Sequence, residues 1–401
     1  MLRITVITII FCIAFLTIGC EGKSQNEVDG TDKNISKPIV KEDNKSINPE
    51  GNLTAWTAWQ KVKENASVNV VLTQVFKTPQ ILSIATLGWE DGINVSRDGL
   101  HLYATYIPAD FLSFVLSQRS VAFIVAYDRG PHYDMDFVSN PVGLNYPWYQ
   151  SDIIYASRAT TNVPFSAWYT SSLKRSIYSE GAISAVFSDA SHISMAVFTS
   201  NDVYTAQNNI KMVNHTTVNP MGVGTLITTI DTTDCGSIGD TSINTNCIED
   251  NPHLEDLGSN KWVLFFDSED RPGGDGGHDL WYATSDDNGS TWSHAVAVSS
   301  LNTSAKEHQP HLYNDGTSWW LYYSAYHTDH KLAIYRAKQT VLDDWNSWDV
   351  PEVVITAGNT EGIGEATLTE SGDLYFVAIV KNDTNDTTDL YDADPWVALH
   401  Q

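Results

Sequence analysis

The chain has 401 residues, of which 49 are acidic and 23 are basic, and its formal net charge is −26. Such an acidic excess repels phosphate backbones and anionic membrane surfaces, which excludes nucleic acid as an expected partner. The composition is 42% hydrophobic and 11% aromatic. This is enough apolar material to build one large folded domain with a substantial core.

Residues 1–20 have the pattern of an export signal. The apolar run Ile4–Ile18 is short for a membrane span and typical of a secretory leader. The pair Gly19-Cys20 that follows resembles the end of a bacterial lipobox, with Thr17 where that motif usually has Leu. The resemblance implies cleavage before Cys20 and lipidation of its thiol. An ordinary signal peptide or an uncleaved anchor is the alternative.

Residues 21–52 contain no aromatic residue and few apolar ones, so we expect a disordered polar tether here and a folded domain over residues 53–401. Glu21 stands where enteric lipoproteins retained in the inner membrane have Asp. By that resemblance the protein is exported and lipid-anchored to the bacterial cell envelope, at the outer membrane. Membrane contact is then expected only through the anchor.

One motif recurs five times in the folded part. The positions equivalent to Pro252 are Ile93, Ile183, Pro310 and Ala366. A turn follows each of them about five residues later, and a strand follows the turn. Three residues before the reference position, four copies have a glutamate, namely Glu90, Glu180, Glu249 and Glu307. The repeat predicts an all-β propeller with five four-stranded blades, and six blades are the alternative.

The longest excursion from the repeat is Asp128–Gln150, in blade one. It mixes charged and aromatic side chains, and aromatic faces stack on sugars while charges fix orientation. Arg129, His132 and Trp148 are the candidates for ligand contact. The alternative is an insertion that packs over the edge of the blade.

Two cysteines lie outside the leader and the lipobox, Cys235 and Cys247. They bracket a connection rich in Gly, Ser, Thr and Asn. In an exported protein we expect them to form a disulfide. A free thiol or a metal ligand is the alternative, which is less favoured because no Cys or His lies beside them at ligand spacing.

The segment Glu249–Trp292 predicts one complete blade. Its expected strands are His253–Leu257, Lys261–Asp267, Asp279–Ser285 and Thr291–Val298. Arg271 begins one of the connecting loops and is a further candidate for ligand contact. The repeat E-x-x-P-x-L with a later D-G resembles the WD-like repeats of TolB-type envelope propellers, and Ser285–Trp292 resembles the Asp-box of sialidase-like propellers. Both resemblances imply a fold and not a reaction.

Blades three and four are rich in histidine, with His253, His278, His308, His311, His327 and His330. Strand alternation separates several of them, so we predict satisfied or surface histidines and no metal site. Asp383–Asp389 resembles part of a calcium loop, which makes calcium the one cofactor considered. Blade five lacks a fourth strand, and Val68–Val75 is predicted to supply it.

Two functions remain open at this point, and whether the protein is an enzyme is undecided. The TolB-like resemblance implies a binding or scaffold module that holds a protein or glycan at the propeller mouth. The repeated glutamates would then contact the ligand or lock blade to blade. The alternative resembles five-bladed arabinanases and xylosidases, which use axial carboxylates for hydrolysis. Asp91, Asp250 and Glu365 break the symmetry of the repeat and are the candidate catalytic residues.

Overall fold

The computed structural model describes residues 61–86, 89–107, 151–170, 180–201, 208–218, 224–231, 235, 242–382 and 390–401. In this part of the chain the strands form five antiparallel sheets, each ordered from the propeller axis outward. The prediction of an all-β propeller with five four-stranded blades is confirmed. Residues 61–65 form a single helical turn, and within the described ranges no helix is long and apolar enough to cross a bilayer.

Within each blade the first strand lies at the axis and the last at the outer edge. Blade one contains Trp89–Val95, His101–Ile107, Asp152–Ser157 and Tyr169–Thr170. Blade two contains Glu180–Asp189, His192–Asn201, Asn208–Thr217 and Thr225–Leu226. Blade three contains Ile248–Gly258, Lys261–Glu269, His278–Ser285 and Val296–Ala297. Blade four contains Glu307–Asn314, Trp319–Tyr326, Leu332–Lys338, Glu352–Thr356 and, as a fifth strand, Asn69–Val70. Blade five contains Gly362–Leu368, Leu374–Asn382, Leu390–Ala398 and Gln80–Ile81.

The prediction that Val68–Val75 completes blade five is wrong. Within that segment only Asn69–Val70 is a strand, and it pairs with the outer strand of blade four. Gln80–Ile81 completes blade five by pairing with its third strand. The reason is the spacing of the buried side chains. Val68, Leu72 and Phe76 point inward at every fourth position, which suits a turn-rich segment lying on the core better than an alternating strand.

The core lies in the seams between blades. In the described residues five hydrophobic clusters are found, and each joins a pair of neighbouring blades. The second strand of blade three shows why its sequence is apolar on both faces. Phe266 packs toward blade two and Phe265 packs toward blade four, and both are fully buried. Each blade therefore needs both neighbours to bury its surface.

Cys235 and Cys247 form a disulfide with a Cα–Cα distance of 5.0 Å. This distance lies in the range that an unstrained bridge requires. The second cysteine immediately precedes the inner strand of blade three, and it is 3% exposed. The bridge therefore ties the connection between blades two and three to the start of an axial strand.

Candidate functional site

The inner strands all begin at one end of the central channel, which we call the upper mouth. In blade one Ile107 pairs with Trp89, and Asp152 pairs with Tyr106. The connection between the second and third strands, residues 108–150, therefore leaves from and returns to the upper mouth. Three of the predicted ligand contacts belong to this connection and lie outside the described residues, namely Arg129, His132 and Trp148.

The glutamates of the repeat are held by a threonine four residues earlier, an arrangement we call the threonine latch. The backbone N–H of Thr303 donates to Glu307 over 2.9 Å, and its hydroxyl donates over 2.7 Å. The same two bonds join Thr86 to Glu90 and Thr245 to Glu249. These three glutamates are at most 3% exposed, so their carboxylates are occupied by the chain itself. Glu180 is also buried, and Ser176, four residues before it, lies outside the described residues.

Every inner strand is interrupted by a bulge at the same position. The bulged residues have positive φ: Gly92 (52°), Ala182 (46°), Asn251 (48°), Gln309 (55°) and Glu365 (60°). Four of the five are not glycine, and such residues adopt this conformation at a cost of roughly 1 to 3 kcal/mol each. The bulges turn these positions toward the axis, where they line a cavity of about 30 Å³. A cavity of this size holds about one water.

Glu365 is the bulged residue of blade five, and its side chain is fixed by blade four. Gln309 Nε2 donates to Glu365 Oε1 over 2.6 Å, and the backbone N–H of Glu365 donates to Gln309 Oε1 over 3.1 Å. Burial and the neighbouring carboxylate of Asp91 raise the pKa of Glu365 well above its ordinary range. Burial beside Asp91 therefore favours the protonated form of Glu365.

Asp91 lies on the inner strand of blade one and is held by donors of that strand. Its carboxylate receives hydrogen bonds from Trp89 Nε1 over 3.0 Å and from the backbone N–H of Gly92 over 2.8 Å. The seam between blades five and one thus places two carboxyl groups near each other at the axis, and the pKa of one of them, Glu365, is raised. Neighbouring carboxyl groups in different environments are suited to proton transfer.

Asp250 lies on the opposite side of the mouth, in blade three, and is 5% exposed. It accepts hydrogen bonds from Asn208 Nδ2 over 3.2 Å and from the backbone N–H of Asn251 over 2.9 Å. Burial and the nearby Asp267 nevertheless raise the pKa of Asp250 to about 7. The structure therefore brings all three candidate catalytic residues, Asp91, Asp250 and Glu365, to the inner strands at the upper mouth.

Asp267 is a site residue that the sequence analysis missed. It is fully buried on the second strand of blade three, in register with Asp250. Asn251 Nδ2 and the backbone N–H of Gln309 each donate to its Oδ2 over 2.8 Å. Burial opposes its ionisation, but the hydrogen bond to His278 holds the pKa of Asp267 below its usual value. The sequence feature that could have identified Asp267 is its place directly after the apolar run 262–266.

The histidines come together in two pairs. The rings of His278 and His308 lie 4.3 Å apart near Asp267, and those of His253 and His311 lie 4.1 Å apart further along the channel. Strand alternation does separate residues of one strand, but it allows residues of neighbouring strands to meet. Within the described ranges the one group with metal-ligand spacing is Asp267, His278 and His308, whose donor atoms lie within 4.8 Å of one another. The segment that resembles part of a calcium loop, 383–389, lies outside those ranges.

Arg271, a predicted ligand contact, is enclosed and 3% exposed. Its guanidinium donates to the backbone carbonyls of Ser242 and Ile243 and lies 4.6 Å from the centre of the Trp281 ring. Glu249 Oε1 is 3.6 Å away. Arg271 thus links the connection before blade three to that blade, and its guanidinium faces the protein interior.

At the opposite end of the channel Arg97 of blade one and Glu255 of blade three form an ion pair. The Arg97 guanidinium bonds to Glu255 and to the backbone carbonyl of Leu312. A cavity of about 340 Å³ lies at this end, and Phe187 and Glu370 are among the residues that line it. Among the described residues, the carboxylates with raised pKa beside the axis lie at the upper mouth, so the two ends of the channel differ.

No protein-family model and no curated protein matches this chain. Solved structures of five-bladed propeller glycoside hydrolases do. A thermostable family-43 glycoside hydrolase is 9% identical, with a TM-score of 0.42, and the match covers 79% of this chain and 92% of that one. The GH62 α-L-arabinofuranosidase of Coprinopsis cinerea is 12% identical, with a TM-score of 0.43 and coverages of 78% and 91%. The endo-arabinase of Bacteroides thetaiotaomicron is 12% identical, with a TM-score of 0.42 and coverages of 82% and 97%. At these identities the likeness is one of fold.

Proposed function

We propose that this protein is a glycan-active hydrolase in which Glu365 donates a proton at the upper mouth. The observation that supports this is the buried position of Glu365 on the axial bulge, where burial and the nearby Asp91 raise its pKa. Glu365 occupies a strained backbone position and is fixed by Gln309, so its orientation is determined by the fold. Unlike the latched glutamates, it has no equivalent in the other blades. Catalysis requires this asymmetry, and blade packing does not.

The roles follow from the buried carboxyl groups at the axis. Glu365 protonates the leaving oxygen of a glycosidic bond, and the nearby Asp91 favours the protonated form of Glu365 that this role needs. Asp250 is the second carboxylate, which activates a water or attacks the sugar. The axial cavity of about 30 Å³ is too small for a sugar ring. The substrate therefore binds above the axis, at the upper mouth.

The test is a screen of the purified protein against plant and algal polysaccharides, with release of reducing ends as the readout. Glu365→Gln and Asp250→Asn should each lower kcat on the active substrate by about 10²- to 10⁴-fold, because each removes a proton-transfer group. Glu307→Gln is the matched control, since it changes an equally buried but latched carboxyl group. It should leave kcat unchanged.

Two results would overturn the proposal. One is full turnover in Glu365→Gln. The other is retention of a polysaccharide by the wild-type protein, for example in affinity electrophoresis, with no hydrolysis over long incubation. The second result would favour a binding module at the same mouth.

We also propose that the protein is exported and lipid-anchored through Cys20, on the basis of the leader and the Gly19-Cys20 motif. Growth of an expressing bacterium with an alkyne-labelled fatty acid should label the wild-type protein and leave Cys20→Ser unlabelled. Equal labelling of both proteins, or of neither, would reject the anchor.

A further inference from the structure

His278 lies between two carboxylates. Its Nδ1 is 3.2 Å from Asp267 Oδ1, and its Nε2 is 3.4 Å from Glu269 Oε1. A neutral imidazole carries one N–H and can donate to only one of them. The other nitrogen then directs a lone pair at a carboxylate oxygen. A positive species between a ring nitrogen and a carboxylate would favour this arrangement, and it could be a second proton on the imidazole or a metal ion.

The surroundings identify which nitrogen faces the cation. Glu269 is 31% exposed and is also paired with Lys306 at 3.3 Å, so it is a fixed acceptor at the edge of the site. A histidine that donates its outer N–H to a carboxylate and presents its other nitrogen inward is the usual arrangement around a metal ion. In the structure Nδ1 is hydrogen-bonded to Asp267 Oδ1. With a cation bound between these two atoms, Nε2 would carry the N–H and face Glu269, which lies 3.4 Å away.

The distances suit a small divalent ion. Zinc bonds to nitrogen and oxygen of about 2.0 to 2.1 Å place two tetrahedral ligand atoms roughly 3.3 Å apart. The observed separation between His278 Nδ1 and Asp267 Oδ1 is 3.2 Å. His308 supplies a third donor, and all three donor atoms lie within 4.8 Å of one another. Tetrahedral binding of one ion would bring donor atoms that now lie up to 4.8 Å apart to roughly 3.3 Å, a change of up to about 1.5 Å.

The remaining lone pairs of Asp267 are already organised. Its Oδ2 accepts hydrogen bonds from Asn251 and Gln309, which leaves Oδ1 to face the histidines. The three donor residues are at most 2% exposed. Two imidazoles and one carboxylate favour a transition metal over calcium, which prefers oxygen ligands. We propose that Asp267, His278 and His308 bind one divalent transition metal ion of the zinc class. This site does not depend on the proposed hydrolysis.

The first test uses the wild-type protein. After dialysis against Zn²⁺ and then against metal-free buffer, elemental analysis should find about one zinc per chain. Co²⁺ added to the metal-stripped protein should give the visible absorption bands of a four-coordinate site. Either ion should raise Tm, because it binds the folded state and stabilises it by mass action. Ca²⁺ should not raise Tm through this site.

Variants then locate the site. His308→Gln should abolish the cobalt bands, and Glu269→Gln should weaken zinc affinity by about 10- to 100-fold, as loss of the carboxylate that orients a metal-bound imidazole does. His311→Gln is the matched control, because it lies on the same strand as His308 and is also buried against a second histidine ring. It should keep full metal binding.

Absence of cobalt bands and of any Tm shift in the wild-type protein would overturn the proposal. His278 would then be an imidazolium that donates to both carboxylates. Binding that is unchanged in His308→Gln would place the metal elsewhere on the chain and would also reject this site. Neither outcome depends on finding a substrate. The metal site can therefore be rejected without rejecting the proposed hydrolase activity, and the reverse also holds.

Discussion

A latched glutamate and Glu365 are chemically identical side chains in neighbouring inner strands. The latched residue sits three positions before the repeat reference, where a threonine four residues earlier satisfies both carboxylate oxygens. Glu365 sits one position before the reference, on the bulge, where its partners come from blades four and one. A displacement of two positions therefore separates a residue that fixes its own blade from one that faces the axis.

The threonine latch should contribute measurably to the stability of the fold. In Glu307→Gln one oxygen is replaced by an NH₂ that faces the Thr303 donors, so we expect a loss of about 1 to 2 kcal/mol in the free energy of unfolding. Glu352→Gln is the control, because its carboxylate pairs with Arg336 while 43% exposed and should change stability by less than about 1 kcal/mol. Chemical denaturation of both variants decides this. Equal effects would argue against the latch.

The positive φ of the bulge predicts that substitutions at two equivalent positions change stability in opposite directions. Ala182 has a φ of 46°, so Ala182→Gly should relieve strain and raise stability by up to about 1 kcal/mol. Gly92 has a φ of 52°, and a Cβ there would lie 2.4 Å from Thr105 Oγ1. Gly92→Ala should therefore destabilise the fold. The measurement is the denaturation midpoint of each variant, and a stabilised Gly92→Ala would contradict the account of the bulge.

Among the elements, the N-terminal segment is tied to the ring by one buried lysine. Lys63 Nζ lies 2.6 Å from Asp394 Oδ1 and 2.8 Å from Asp392 Oδ2, and it donates to the carbonyl of Thr86 over 2.7 Å. Burial disfavours its charge, but the two aspartates hold the pKa of Lys63 above its ordinary value. The helical turn 61–65 is therefore part of the fold.

Lys63→Met should leave two buried carboxylates without their cation and cost about 3 to 5 kcal/mol of stability. Lys61→Met is the control in the same helical turn, because Lys61 is exposed and should change stability by less than about 0.5 kcal/mol. Urea denaturation measures both. If the two variants unfold at the same urea concentration, the segment is not anchored by this ion pair.

The disulfide closes a short loop with a sequence separation of 12. In the chain-entropy model its removal should cost about 2 to 3 kcal/mol. The double variant Cys235→Ser/Cys247→Ser should show this loss in non-reducing denaturation, and adding a reductant should affect only the wild-type protein. A double variant as stable as the oxidised wild type would show that the bridge contributes nothing.

The sequence predicts the elements that carry a periodic or compositional signal. The second strands, such as Lys261–Glu269, are visible because both faces are buried in seams. Val296–Ala297 lies within the predicted strand Thr291–Val298, but Gln80–Ile81 is two residues long and has no flanking period that could reveal it. The bulge could not be predicted from the sequence, for a different reason. Its five residues share a backbone conformation and no side-chain chemistry, so position 365 was recognised only because the other copies have no glutamate there.

For the whole molecule, buried acids set the pH dependence of stability. The pKa of Glu90 is raised to about 8 by burial and by the nearby Asp394, and that of Asp250 is raised to about 7. At pH values above the ordinary pKa of these acids, the folded state therefore binds more protons than the unfolded state. Stability must then fall as the pH rises through this range. Burial lowers the pKa of His253 and His311, which opposes the trend only below about pH 6.5.

We therefore expect the free energy of unfolding to decrease between about pH 6.5 and 8. Glu90→Gln removes one titrating group, so its decrease over this interval should be shallower than that of the wild type. Urea denaturation at several pH values provides the comparison. A stability that rises with pH, or identical slopes for the two proteins, would show that these acids are ionised in the folded state.

Ring closure also fixes an order of events during synthesis. Lys63 bonds to Asp394 across a separation of 331 residues, and Gln401 and Leu399 bond back to Val75 and Lys77. The partners of the first described residues are thus synthesised more than 300 residues after them. Until Leu390–Ala398 has emerged from the ribosome, blade one has an uncovered apolar flank, and pairings this distant form slowly. The ring therefore stays incomplete through the synthesis of all five blades, and it closes when these distant segments come together.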